Sequence, residues 1–321
     1  MKQVIFNQTG LPKDVLFLEE APMPIRKSHE VLVKVLARNI NPSDIMFVQG
    51  LYGITPQLPS SAGFEAVGIV EESDDAGVLA VGTRVIFTTV GTWKEYICLP
   101  AKGVIPVPAG MSDEVACQAF VNPFTAYGML ETSGLQAGDH LLITAGASAW
   151  GKLVVQMAAK KGIRVACTVR RDEHKTVLEG LGASVVVNVE KENLGKVLKA
   201  WAPEGVKAVF DAVGGDQGAK ALNCLSVGGT MYVFGLLSLS PIPLHSGVMI
   251  FKNLKIEGWW LSSWWEQLGA EGIQRAMKAV FGYLLSQEVK VDIQAKYPLA
   301  QFKDAIDAYE KEGRTGKILI C

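Results

Sequence analysis

The chain has 321 residues, of which 49% are hydrophobic and 20% are charged, and its formal net charge is −1. This length allows about two domains, and the near-zero charge excludes a broad electrostatic attraction to nucleic acid or to an anionic membrane. Five cysteines without CxxC spacing and four histidines without ligand pairing indicate free thiols in a reducing compartment.

The chain begins with "MKQVIFNQTG", which turns polar too early for a signal peptide. No apolar run approaches the roughly 20 residues of a membrane helix. We therefore expect a soluble, cytoplasmic protein. Short runs of β-branched residues bounded by Gly and Pro then follow over the first 120 residues, in "HEVLVKVLARNINPSD", "GFEAVGIVEE", "GTRVIFTTV" and "TWKEYICLP". They predict a compact β-rich domain.

From Asn122 the pattern changes to strands that alternate with helices. The predicted strands are "HLLITAG", "IRVACTV", "SVVVNV", "VKAVFDAVGG", "TMYVFGLL" and "NLKIEGWW", and the helices between them begin with "GKLVVQMAAKKG" and end with "DQGAKALNCLSVGG". This alternation predicts a doubly wound parallel sheet, so the fold class is α/β. A helix around Gln274–Gln287, the strand-like "KYPLA", the helix "AQFKDAIDAYEKE" and the strand "GKILIC" follow. We expect residues 1–121 and 263–321 to form the first domain and residues 122–262 the second.

The turn after the strand "HLLITAG" carries small residues at the spacing of a nucleotide-binding motif. Gly146, Ser148 and Gly151 occupy the three positions of G-x-G-x-x-G, with Ser at the second. Small residues let the backbone approach a pyrophosphate, and the following helix offers unpaired N–H groups. The alternative is a strand, turn and helix that bind no ligand.

The second strand of this unit ends in "CTVRRDE". An NAD site usually places an acid at this point to bind the ribose 2′-hydroxyl. Arg170 and Arg171 stand there instead, and arginine suits a 2′-phosphate. The sequence therefore favours NADPH, although the two arginines could also be surface charges offset by Asp172 and Glu173.

The order of the two domains, together with several motifs, resembles the medium-chain dehydrogenase/reductase superfamily. Within it the chain is most similar to the zinc-free 2-enoyl thioester reductases and the quinone reductases. The resemblance rests on "NPSDIMFVQGLYGITPQLP", "GTWKEY", "VNPFTAYGML", "GGTMYVFG", "IFKNLKIEGWWLSSW" and "GRTGKILI". It implies a GroES-like catalytic domain and a Rossmann domain. Ala149 and Trp150 depart from the usual Gly and small aliphatic residue of the turn, which puts cofactor affinity in question.

The resemblance also implies site residues. Zinc members carry a Cys before the Asp of the first motif and a His in a Gly-His-Glu triplet, where this chain has Asn41 and Phe64. Because zinc needs three or four suitable ligands, we expect no catalytic metal. The resemblance puts Asn41 near the nicotinamide, and the alternative is a turn or cap residue before Pro42. Residues expected at the cofactor are Asn41, Thr125, Gly146, Ser148, Ala149, Trp150, Gly151, Arg170, Arg171, Phe234 and Lys317.

Reduction of an activated C=C bond needs a hydride for the β carbon and a proton for the α carbon. A neutral tyrosine can donate that proton. By resemblance Tyr52, in "QGLYGITP", is the donor or positions a donor water, and the alternative is an aromatic that packs on substrate. Trp260, in "GWWLSSWW", is expected to line the acyl pocket, and Phe64 and Phe87 to add apolar wall, although so dense a tryptophan cluster also suits core packing.

Two readings stay open for Thr125 and Lys317. Thr125 either caps the helix that it opens or contacts the nicotinamide, and Lys317 is either a surface charge or lies beside the cofactor.

The leading hypothesis is an NADPH-dependent reductase of 2-enoyl thioesters. The alternatives are a quinone or α,β-unsaturated ketone reductase and a nucleotide-binding structural protein. We expect a small-molecule substrate and a homodimer built through edge strands such as "TMYVFGLL" and "LKIEGWW".

Overall fold

The computed structural model describes residues 1–75 and 77–321. It divides into two compact units, one of Met1–Val121 with Val291–Cys321 and the other of Asn122–Lys290. None of the helices in the described ranges is long and apolar enough to cross a membrane.

The first unit is built mainly of antiparallel strands. Its strands are β1 (Lys2–Phe6), β2 (Phe17–Glu20), β3 (Glu30–Asn39), β4 (Ser60–Ser61), β5 (Glu65–Glu72), β6 (Arg84–Thr88), β7 (Tyr96–Pro100), β8 (Val104–Pro106), β15 (Ile293–Tyr297) and β16 (Lys317–Ile320). Its helices are α1 (Pro12–Val15), α2 (Pro42–Gln49), α3 (Asp113–Ala116) and α12 (Phe302–Glu310). One sheet has the order β2-β1-β4, and a larger one runs β15-β16-β3-β5-β6-β8, with β7 also paired to β3.

The core of this unit includes two apolar clusters among its described residues. One lies within the larger sheet and includes Val33, Val85 and Phe87. The other joins α2 and α12 to β1 and β16, through residues such as Phe6, Phe47 and Trp93. The loop that carries Tyr52 packs against the second cluster.

The second unit is a doubly wound α/β fold, as the alternating pattern predicted. Its strands are β9 (His140–Ile143), β10 (Arg164–Val169), β11 (Val185–Asn188), β12 (Val206–Asp211), β13 (Leu225–Val233) and β14 (Lys255–Gly258). The helices are α4 (Val121–Ser133), α5 (Ala149–Lys160), α6 (Lys175–Gly180), α7 (Leu194–Trp201), α8 (Gly215–Asn223), α9 (Ser246–Lys252), α10 (Leu261–Gln267) and α11 (Gly269–Leu285). All six strands are parallel, in the order β11-β10-β9-β12-β13-β14 that is typical of dinucleotide-binding folds.

The division between the units differs from the predicted one at its second boundary. Residues 263–290 group with the nucleotide-type unit, not with the first domain. The reason is packing, because the ring of Phe281 in α11 lies 5.8 Å from that of Phe124. Gln156 of α5 also binds both backbone groups of Lys290, at 2.8 and 3.1 Å. These side-chain partners leave no local signal in the sequence.

Candidate functional site

The turn between β9 and α5 has the geometry of a nucleotide-binding turn. Ser148 is the N-cap of α5, and its hydroxyl oxygen accepts a hydrogen bond from the Gly151 amide at 3.0 Å. The Gly146 amide donates to the Thr168 carbonyl at 2.9 Å, which fixes the turn to the end of β10. The other N–H groups at the start of α5 have no carbonyl within the helix to bind, as at every helix N-terminus.

The backbone in this turn is packed so closely that side chains are excluded at two positions. A Cβ atom on Gly146 would lie 2.6 Å from the Cβ of Cys167, and one on Gly151 would lie 2.5 Å from the Gly146 carbonyl oxygen. Ala145 has a φ of 51°, which is unusual for a residue with a side chain. A closely packed turn that leads into a capped helix N-terminus fits a pyrophosphate group.

Trp150 contributes to this turn through packing. Its ring is buried, 4.1 Å from the Phe234 ring and 6.4 Å from the Phe210 ring. Its indole Nε1 is buried and has no hydrogen-bond partner among the described residues. The bulky residue that replaces a small aliphatic one therefore lies between α5 and the strands of the sheet.

The end of β10 carries positive charge, and Asp172, the first acid after it in the chain, is already bonded. Arg170 is exposed, and Arg171 lies 3.6 Å from Glu173. Asp172 accepts from Lys191 at 2.6 Å and from Asn188 at 2.8 Å, and these bonds lower its pKa to about 2. The carboxylate of Asp172 is therefore already hydrogen-bonded to a lysine and an asparagine.

Thr144 and Asp211 are site residues that sequence reasoning missed. The Thr144 hydroxyl donates to Asp211 at 2.7 Å, and Asp211 also accepts from the amides of Val213 and Gly214 at 3.1 and 2.9 Å. Both residues are fully buried at strand ends. They fix the loop after β12 at the same sheet edge as the nucleotide turn. The sequence signal was an acid followed by a Gly pair at a strand end, in "FDAVGG".

In the first unit, Asn41 lies at the centre of a buried polar network. Its Nδ2 donates to Asn39 at 2.9 Å and to Glu65 at 2.7 Å, while its Oδ1 accepts from the ammonium of Lys317. Asn39 also donates to Glu65, at 2.7 Å. Asn41 is also the N-cap residue of α2, and its amide N–H donates to Asp44 at 2.6 Å. The backbone of Asn41 thus lies at the helix cap, as the alternative prediction held, and its side chain belongs to the polar network.

Burial changes the pKa values of two charged groups in this network. It raises the pKa of Asp44 and lowers the pKa of Lys317, and in both cases neighbouring opposite charges counteract the shift. The Lys317 ammonium also donates to the Ile40 carbonyl at 3.3 Å. Lys317 is only 4% exposed, so it is not a surface charge. The resemblance placed it beside the cofactor, and the structure turns its ammonium towards Asn41.

Tyr52 lies in the loop that follows α2 and packs on Phe64. The two ring centroids are 5.1 Å apart, and the Phe64 ring is 5.3 Å from that of Phe47. Phe64 follows Gly63 at the position where zinc members carry a histidine, and it is half-buried. These aromatic contacts attach the Tyr52 loop to the core of the first unit.

Phe87 does not line a pocket and must be removed from the predicted wall. It is 1% exposed in the core of the larger sheet, because its position in β6 turns the side chain inward between Ala66 and Val104 on the neighbouring strands. Thr125 does not open its helix either, since α4 begins at Val121. It lies buried about one turn inside.

The tryptophan cluster is mainly packing, as the alternative reading held. Trp259 donates to the Thr132 hydroxyl at 3.1 Å, and a Cβ on Gly128 would lie within 3 Å of both Trp259 and Trp264. Trp265 lies 5.1 Å from Phe124. Trp260 differs from the other three, because it is 43% exposed at the N-cap of α10.

Across residues 1–75 and 77–321, no group of three or more His, Cys, Asp or Glu side chains could hold a metal ion. The positions where zinc members carry Cys and His hold Asn41 and Phe64, and neither is a zinc ligand. The expectation of a metal-free enzyme remains a prediction.

Known families match both units. The zinc-binding dehydrogenase profile matches residues 149–278 and the alcohol dehydrogenase GroES-like domain profile matches residues 27–109. The mitochondrial enoyl-[acyl-carrier-protein] reductase of Arabidopsis thaliana is 30% identical over 99% of this chain and 88% of its own length. The chain belongs to the medium-chain dehydrogenase/reductase superfamily, as the motifs indicated.

Two solved structures show how far the similarity extends. The Escherichia coli quinone oxidoreductase, complexed with NADPH, has a TM-score of 0.90 and 27% identity, covering 100% of this chain and 99% of that one. The mitochondrial 2-enoyl thioester reductase heterodimer from Candida tropicalis has a TM-score of 0.87 and 25% identity, covering 99% and 98%. Both kinds of reductase share this fold, so the substrate must be argued from the site.

Proposed function

We propose that this protein is an NADPH-dependent reductase of activated C=C bonds in 2-enoyl thioesters. The observation that carries the proposal is Tyr52, held on Phe64 beside the position of the lost metal motif. Enoyl reductases are among its relatives, and the protein of Arabidopsis thaliana is one of them. A tyrosine hydroxyl suits proton donation to carbon, which a carbonyl-polarising metal does not provide.

The second unit is assigned to NADPH. Its pyrophosphate would lie over the turn of Gly146, Ser148 and Gly151, whose backbone packs too closely for a side chain at either glycine. Arg170 and Arg171 would bind the 2′-phosphate. Asp172 would not compete for a ribose hydroxyl, since Lys191 and Asn188 already hold its carboxylate. When bound, NADPH supplies the hydride for the β carbon of the substrate.

Tyr52 is assigned the proton for the α carbon, given directly or through one water. Addition at the β carbon leaves an enolate, whose α carbon must gain a proton to complete the reduction. Phe64, itself packed on Phe47, restricts the Tyr52 ring, and a restricted donor loses less entropy when the transition state forms. General acid catalysis of this kind contributes about 10²–10⁴ in rate.

Tyr52→Phe tests the assignment because it keeps the ring and removes only the hydroxyl. We expect kcat with crotonyl-CoA to fall about 10²-fold or more, with NADPH affinity within threefold of the parent, as for an interaction made only in the transition state. Tyr96→Phe, in β7, is the matched control and should keep the parent's rate. A Tyr52→Phe enzyme within threefold of the parent would refute the proton-donor role.

A quinone reductase is the second candidate, favoured by the fold shared with the Escherichia coli quinone oxidoreductase. Quinone reduction requires no proton on carbon, so Tyr52→Phe should leave it nearly unchanged. Parallel assays of NADPH consumption with crotonyl-CoA and with a quinone separate the two candidates. A purely structural nucleotide-binding protein would consume NADPH with neither.

We also propose a homodimer, formed through β14. This strand lies at the end of the parallel sheet, whereas β13, the other strand predicted at an edge, lies between β12 and β14. The helix that precedes β14 in the chain, α9, exposes Phe251 at 85% and Ile250 at 69%. An open sheet edge and exposed apolar side chains favour pairing with a second copy. Sedimentation should give a dimer for the parent and a monomer for Phe251→Asp, while Val177→Asp, exposed on α6, should remain dimeric. A monomeric parent at micromolar concentration would refute this part.

Two further assignments complete the proposal. The enzyme is cytoplasmic, and it binds no catalytic metal. Elemental analysis after dialysis tests the second assignment, and stoichiometric zinc would overturn it.

A further inference from the structure

Buried charge is concentrated at the start of α2. Asp44 and Glu65 are each 1% exposed, and Lys317 is 4% exposed. Burying a charge is costly unless it is paired and hydrogen-bonded. In this cluster Glu65 accepts from Asn39, from Asn41 and from the Val121 amide at 2.9 Å, so both of its oxygens are bonded.

The partners fix the orientation of the Asn41 amide. An ammonium can only donate and a carboxylate can only accept, so the amide oxygen must face Lys317 and the amide nitrogen must face Glu65. The second hydrogen of Nδ2 is taken by Asn39. Asn41 therefore has no spare amide hydrogen for a ligand, and its side chain joins β16 to β5 and to the start of α2.

Helix α2 connects this junction to Tyr52. It runs for eight residues, about 12 Å, from Pro42 to Gln49. It ends at Gly50, which has a φ of 74°, and the Leu51 amide donates to the Met46 carbonyl at 2.8 Å. Tyr52 is the next residue. A short helix fixed at its first residue by a buried network thus determines where the Tyr52 loop begins.

We propose that Lys317 is a positioning residue that acts on Tyr52 through Asn41 and α2. The proposal rests on the proposed function, because it assigns Tyr52 a task in the reaction. It also differs from the cofactor-contact role that the resemblance gave to Lys317.

The experiment compares Lys317→Met, which removes charge and donors, with Lys317→Arg, which retains both. Lys296→Met is the matched control, because Lys296 lies on the neighbouring strand β15 and binds Glu114 at the surface. We expect Lys317→Met to lower kcat on crotonyl-CoA about tenfold with the NADPH Kd within threefold. Lys317→Arg should recover most of the rate, and Lys296→Met should match the parent. Lys317→Gln replaces the Met variant if the latter does not fold.

Combination with Tyr52→Phe shows whether Lys317 acts through Tyr52. In the Tyr52→Phe background, Lys317→Met should change kcat by less than about twofold, since the group that it positions is already absent. A loss of NADPH affinity with unchanged kcat would overturn the proposal in favour of a cofactor contact. A full tenfold effect in both backgrounds would also overturn it.

Hydrogen exchange gives a readout that does not depend on activity. The amides of Gly50 and Leu51 are bonded to carbonyls of α2, so they report on the end of that helix. We expect both to exchange at least threefold faster in Lys317→Met and at the parent's rate in Lys296→Met. Unchanged exchange would refute the positioning role even if Tyr52→Phe is inactive. Faster exchange with a fully active Tyr52→Phe would instead reject the proton-donor function.

Discussion

Gly151→Ala tests how closely the nucleotide turn packs on α5. The added methyl carbon would lie 2.5 Å from the Gly146 carbonyl oxygen and 2.8 Å from its carbonyl carbon. Unstrained carbon contacts are about 3.5 Å or longer, so the turn and the helix must separate by roughly 0.5–1 Å. Backbone atoms cannot rotate away as a flexible side chain would. Overpacking of this kind costs about 1–3 kcal/mol.

The same displacement should weaken cofactor binding, because it moves the Ser148 cap and the amides at the start of α5. We expect the free energy of unfolding to fall by about 1–2 kcal/mol and the NADPH Kd to rise at least tenfold, equivalent to about 1.4 kcal/mol. Urea denaturation and titration of NADPH fluorescence measure the two effects.

Gly282→Ala is the matched control for this change. Gly282 lies inside α11, and a Cβ there would meet nothing within 4 Å. Alanine should therefore stabilise the protein by roughly 0.5–1 kcal/mol through its helix propensity and leave NADPH binding unchanged. If Gly151→Ala has the stability and the NADPH affinity of the parent, the reasoning from close packing is wrong.

Two further predictions concern charge. Replacing both Arg170 and Arg171 with Ala should raise the NADPH Kd about ten- to a hundredfold and leave the NADH Kd nearly unchanged, because a charge-assisted phosphate contact contributes roughly 1.5–3 kcal/mol. Arg26→Ala, in the first unit, is the control, and an unaltered cofactor preference in the double variant would contradict the assignment. Burial raises the pKa of Asp44, so its favourable contribution to stability is present below about pH 4 and is lost as the pH rises through the folded-state pKa. Asp44→Asn keeps an acceptor for the Asn41 amide and does not titrate. The Tm of this variant relative to that of the parent should therefore increase between about pH 4 and pH 8. A Tm difference that is independent of pH would show that the pKa of Asp44 does not change on folding.

The strands and helices of the second unit could be predicted because each leaves a local signal. A parallel strand is buried on both faces, so "HLLI" of β9 is wholly apolar apart from its first residue. The capped turn at Ser148 and Gly151 is equally local, since the cap joins residues only three apart. Local signals failed at the end of α8, where "LSVGG" begins β13 instead of continuing the helix.

The candidate site was harder to predict because its contacts join distant parts of the chain. Lys317 and Asn41 are 276 residues apart, and no spacing rule relates them. Phe87 was assigned to a pocket wall by its residue type, yet its partners across the strand decide which way the side chain points. Tyr52 and Phe64 were both singled out from the sequence, and the contact between their rings was found only in the structure.

Under these proposals different residues of the first unit hold the start of α2 and donate the proton. The Lys317 ammonium, Asn41 and Glu65 hold the start of α2 in place, and Tyr52 supplies the proton. A metal site could not be regained by restoring Cys at Asn41 and His at Phe64 alone. The Lys317 ammonium would then lie beside the new ligands, and a cation would be repelled by a buried like charge. Removing that ammonium would leave Glu65 without its counter-charge until a metal bound. The Lys317 ammonium and a metal ion therefore exclude one another at this position, and the reason is the buried charge.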